Sequence, residues 1–165
     1  MTYRIRGLDP AAFAHLFSAT SAALHHNLAR REVAGAQGRY PCRVSLEDAA
    51  PGEALVLAHY ANHDVASPYR NAFAIYVREA ADTAAEYVDA VPPILRGRPI
   101  ALRGYDANGD LHRAALALAD DVDAQVRALL GDPAVAYIDA HNAMHGCFAA
   151  RIERFEAATA EECFT

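Results

Sequence analysis

The chain has 165 residues, a length that suits one domain, and its hydrophobic share of 53% is too high for an intrinsically disordered protein. Its 21 acidic residues outnumber the 15 basic ones, and the net charge of −6 argues against a sequence-independent grip on nucleic-acid phosphates. Every basic residue is arginine, so chemistry that needs a lysine is excluded, whether a Schiff base, a Walker-type phosphate loop or a pyridoxal phosphate anchor.

Along the chain, Tyr3 to Leu8 alternates as a short strand, with Tyr3 and Ile5 on one face and Arg4 and Arg6 on the other. Asp9-Pro10 then reads as the N-cap and first position of a helix, and Phe13, Leu16, Phe17, Leu24 and Leu28 carry helical spacing to about Arg31. Gly35-Ala-Gln-Gly38 breaks that pattern, and Tyr40 before a proline makes residues 39–46 extended or irregular. Ala54 to Tyr60 has the length and composition of a buried strand, and Ala72 to Arg78 alternates as another. Ala80 to Tyr87 reads as a short helix that ends before Val91-Pro-Pro93.

Pro99 to Tyr105 and Leu111 to Leu118 flank an Asn108-Gly109 turn, the strongest short-range hairpin signal in the chain. A calcium loop does not fit there, because the glycine is misplaced and Ala117 stands where the closing glutamate belongs. Asp120 to Leu130 predicts a helix with Val122, Val126, Leu129 and Leu130 inward and Gly131 at its end. Val135 to Asp139 is a strand. Residues 147–155 fit strand or helix, and the His145-Gly146 turn tips the reading to strand. The tail, residues 156–165, is expected to be a short helix or flexible. Helices mixed with strands on short turns argue for a single α+β domain over residues 1–165, a mainly antiparallel sheet packed by two or three helices.

No apolar run is long enough to span a bilayer, and the charged start lacks the apolar core of a signal peptide. The cytoplasm is therefore the expected compartment, where Cys42, Cys147 and Cys163 stay free thiols.

Out-of-place polar residues gather in three segments, 40–48, 59–70 and 139–147, each at a loop or strand end where sites are usually built. The strings Tyr40-Pro-Cys-Arg-Val-Ser-Leu-Glu-Asp48, Ser67-Pro-Tyr-Arg70 with Ile75-Tyr-Val-Arg-Glu79, and His141-Asn-Ala-Met-His-Gly-Cys-Phe148 resemble a bacterial family known as domain of unknown function 1203. The likeness covers nearly the whole chain in matching order. It implies a bacterial, single-domain, stand-alone protein and brings no assigned reaction.

Read from the residues themselves, Cys42 is a candidate nucleophile with His141 as its base, since a thiol becomes reactive when a nearby cation lowers its pKa. The plainer reading makes Cys42 and Cys147 small buried hydrophobes. Arg43, Ser67, Tyr69, Arg70, Asn142, His145 and Cys147 are candidate ligand-binding residues, because planar guanidinium groups suit a carboxylate or phosphate. His59/His63 and His141/His145 have a helical metal-pair spacing, but both straddle strand ends, where four residues separate two imidazoles by about 13 Å. No metal and no cofactor is assigned. The expected function is binding, with transformation an open option, of a small polar or anionic molecule in a pocket built from the three segments. The competing reading is a non-catalytic homodimeric interaction module. Neither nucleic acid nor a membrane is an expected partner.

Overall fold

The computed structural model describes residues 1–156. Among the described residues, nine strands form two antiparallel sheets. The larger has the order β5-β1-β9-β8-β6-β7 and the smaller β2-β3-β4. The large sheet comprises β1 (Tyr3–Arg6), β5 (Glu86–Val88), β6 (Ile100–Tyr105), β7 (Leu111–Ala117), β8 (Tyr137–Asn142) and β9 (Phe148–Arg154). The small one comprises β2 (Ala29–Val33), β3 (Ala54–His63) and β4 (Asn71–Arg78). Helices α1 (Ala14–Phe17), α2 (Ser21–His26) and α3 (Val122–Leu130) complete an α+β fold, as the sequence pattern predicts.

Alternation explains the large sheet's core. Ile5, Ile100, Leu102, Ile138, Ala140, Ala150 and Ile152 present one buried face, and α3 covers it with Val122, Val126, Leu129 and Leu130. The Asn108-Gly109 hairpin forms as expected. Asp106 Oδ1 accepts the amides of Asn108 and Asp110, while Gly109 adopts the positive φ that the turn requires. Residues 148–154 are a strand paired to both β8 and β1.

Two sequence expectations fail for a shared reason, the pairing needs of a sheet edge. The helix expected from Asp9 to Arg31 is divided into a 3-10 turn (Pro10–Ala12), α1 and α2, and its last residues become β2. Asp9 does cap the first turn, but Thr20 caps α2 anew through the Ala23 amide, and Leu28 takes a left-handed φ of 53° that ends the helix. Arg30 to Val33 then pair with β3. The helix expected over Ala80 to Tyr87 is a turn leading into β5, which supplies the outer partner of β1. The expected C-terminal tail falls beyond the described residues except at Glu156. No described helix is long and apolar enough to cross a membrane.

The inner face of the small sheet (Val56, Ala58, Ile75, Val77) packs against Phe13, Leu16 and Leu24. Segment 40–48 threads between the sheets and is bonded on every side. The Arg43 amide donates to Tyr76 O, the Arg43 carbonyl accepts from Leu8 N, the Val44 carbonyl accepts from Ala85 N, and Leu46 O accepts from Ile94 N. The approach is close enough that a Cβ at Gly7 would lie 1.9 Å from the Val44 carbonyl oxygen, so that position admits glycine alone.

Candidate functional site: an arginine-lined pocket between the sheets

Arg43 is the centre of the site. Its side chain is 3% exposed and crosses to the large sheet, where Nε donates to Phe148 O at 2.8 Å and Nη1 donates to Pro41 O. Among the described residues no carboxylate lies within ion-pair distance, and Nη2 makes no hydrogen bond. Burial lowers its pKa to about 10, with the nearby Cys147 and Cys42 sulfurs pulling it back up, so the group stays protonated at neutral pH.

Arg43 forms part of the wall of a pocket of about 510 Å³. Arg39 and Arg98 add two further guanidinium groups, and Tyr76, Asn142, His145 and Cys147 supply the remaining polar wall. Leu57 and Ala74 add apolar wall, and Met144, 82% exposed, lines it as well. Arg98 is held by Asp48 at 2.5 Å, and its buried Nε has no partner among the described residues. Tyr76 Oη donates to Glu32 at 2.9 Å, and burial and that carboxylate together push the phenol up to about 12.

The turn from β8 to β9 shapes the other wall. Asn142 Oδ1 accepts the amides of Met144 and His145 and faces His145 Nδ1 at 3.3 Å, while Gly146 takes a φ of 75°. This side-chain-closed turn holds His145 and Cys147 at the pocket wall.

The structure thus brings Arg43, Asn142, His145 and Cys147 together and puts the other candidates elsewhere. Cys42 is 0% exposed within the small sheet's core, and its Sγ accepts the amides of Arg78 at 3.3 Å and Ser45 at 3.5 Å. His141 is buried with its edge against Phe73 and Phe148. Its Nδ1 donates to Gly146 O at 2.9 Å, its Nε2 has no partner, and burial lowers its pKa to about 4. Neither residue lines the pocket. Ser67, Tyr69 and Arg70 lie in the β3–β4 connection. Ser67 Oγ donates to Asp110, the Tyr69 carbonyl partners His63, and Arg70 makes an exposed ion pair with Asp64 at 2.6 Å.

The histidine pairs do not converge. His63 is buried between Tyr69 O and Tyr137 Oη, whereas His59 is exposed. Among the described residues no group of three or more His, Cys, Asp or Glu side chains is placed to hold a metal. A second buried network joins the sheets. Asp139 binds Arg151 at 2.8 Å and Asn62 at 3.0 Å, and Arg151 Nη2 donates to Asn62 O. Burial pulls the Arg151 guanidinium down, but the hydrogen bond and charge of Asp139 outweigh it and its pKa is raised. Sequence reasoning missed Arg39, Arg98, Leu57 and Ala74. None carries a local signal, since each lines the pocket only through long-range pairing.

Fold and site define an antiparallel two-sheet α+β protein with a cationic, thiol-bearing pocket at the sheet junction. The chain belongs to the family described as protein of unknown function (DUF1203), whose model matches residues 39–154 and so takes in every residue that lines the pocket. No curated protein and no solved structure matches it.

Two expectations follow. Iodoacetamide labels Cys147 in the native protein and Cys42 only after denaturation, read by peptide mass spectrometry; native labelling of Cys42 contradicts the burial described here. For His141, the folded pKa of about 4 lies below the ordinary value of 6.5, so the unfolded chain binds a proton between those values that the folded chain refuses. The stability from keeping the ring neutral is present above pH 6.5 and lost as pH falls toward 4. Urea denaturation from pH 7 to pH 5 therefore shows a loss on the order of 2 kcal/mol that His141→Gln removes; an equal loss in the variant assigns it to other groups.

Proposed function

We propose that the protein binds a small organic acid, its carboxylate or phosphate oxygens held by Arg43 Nη2 with Arg98 and Arg39 beside it. One observation carries this reading. A guanidinium that is 3% exposed at the wall of a pocket has two of its nitrogens on backbone carbonyls and, among the described residues, no acid within reach and a third nitrogen without a partner. A buried cation is costly unless an anion pairs with it, and an oxyanion in the pocket supplies the missing charge through a short charge-assisted hydrogen bond. Concave shape, mostly apolar walls and a few convergent donors are what small-molecule sites share. Arg43, Asn142, His145 and Cys147 belong to this reading of the site, and Arg70 with its own carboxylate partner serves as the control. The setting proposed with it is the bacterial cytoplasm, where the thiols stay reduced.

Isothermal titration with butanoate and with inorganic phosphate tests the proposal. At least one of the two binds, Arg98→Gln weakens it by about tenfold, and Arg70→Gln leaves it unchanged. Absence of binding by both anions, or equal weakening by the two substitutions, overturns it.

A further inference from the structure

The pocket continues along the outer face of the small sheet. A second cavity of about 390 Å³, lined by His25, Leu28, Arg30 and His59 among others, shares Leu57 and Ala74 with the first. The register explains why. Arg30, Leu57 and Tyr76 are directly paired across β2, β3 and β4, and His59 is paired with Ala74. Directly opposed residues share a face, so these side chains lie on one surface. Ala34, Ala49 and Leu55 cluster with Tyr40 and Tyr76 at the other end of that face, whereas Leu57 is half-buried and Ala74 exposed. Cys42 bridges Tyr76 in parallel, which puts the Arg43 backbone beside β4 as the next extended segment. From Arg43 to Arg30 the groove therefore crosses three strand spacings, about 14 Å.

Its two ends differ in charge. Arg43 has no acid partner among the described residues, whereas Arg30 is neutralised by Glu32 at 2.7 Å. The track between them is apolar and marked at both ends by large exposed side chains. Met144 is 82% exposed at the Arg43 end and Leu28 is 69% exposed at the other. Leu28 is also held at a φ of 53°, a region that a γ-branched side chain adopts at a cost.

From this we infer that the bound acid is a single-headed amphiphile, its oxyanion at Arg43 and an unbranched apolar chain lying across Leu57 and Ala74 toward Leu28. The inference rests on the anion reading of the pocket and adds the shape of the ligand to it. The buried Arg43 guanidinium, without an acid partner among the described residues, selects an acidic head, and the Leu57 and Ala74 surface that the two cavities share selects an extended tail.

A calorimetric series of butanoate, hexanoate, octanoate and decanoate tests it. Affinity rises with each added methylene, at least twofold and at most about fourfold, the limit for a fully buried CH₂. Leu28→Asn removes the far apolar contact with a residue that tolerates the left-handed backbone, so folding is not at stake. The variant binds butanoate as the wild type does and weakens decanoate at least threefold. If butanoate binds but affinity stays flat along the series, or if octanedioate binds more tightly than octanoate, the single-headed amphiphile is wrong while the anion pocket stands. If neither the alkanoates nor inorganic phosphate bind, both readings fall.

Discussion

The structure turns on one buried cation. Arg43 lies where the two sheets meet, its backbone bonded to β4 and to the residue after Gly7, its side chain to the first residue of β9. Taking a guanidinium out of water costs several kcal/mol. Two backbone carbonyls recover part of this and lock the group's plane. That plane decides where Nη2 lies, and with it where an oxyanion is attracted. Segment 40–48 is consequently both the strap that joins the sheets and the element that makes the pocket cationic.

The junction has a second fastening some distance along the same strands. Arg151, Asp139 and Asn62 form one buried network, and His63 with Tyr137 forms another. Their hydrogen bonds are used within the fold, as are those of Cys42 and of His141 Nδ1. Among the described residues, donors without a partner lie at the pocket end on Arg43 Nη2 and Arg98 Nε. Groups that look chemically ready in a list of residue types are thus divided by geometry into those that hold the sheets and those that face the cavity.

Local pattern made much of this legible. Period-two alternation located β1 and β4, length and composition located most of β3, the His145-Gly146 turn tipped the ambiguous pattern of β9 to strand, the Asn108-Gly109 turn located its hairpin, and helical spacing with Gly131 located α3. The misses share a cause that no local window contains. Residues 29–33 and 86–88 are strands because β3 and β1 need outer partners, and that need outweighs the helical spacing upstream. The same distinction governs the site. Arg43 and the 142–147 turn stood out as polar strings at loop ends, and the plain reading of Cys42 as a small buried hydrophobe describes where it lies. Arg98, Leu57 and Ala74 reach the pocket through pairing across the sheets, and their immediate neighbours in sequence say nothing of it.

A crystal structure of the protein grown with butanoate addresses the central claim most directly. The account predicts the carboxylate about 2.8 Å from Arg43 Nη2, with Nε still on the Phe148 carbonyl. A carboxylate seated instead at Arg70, or an Arg43 side chain swung off Phe148 to reach it, would contradict the account, because the pre-set guanidinium plane would then not define the site.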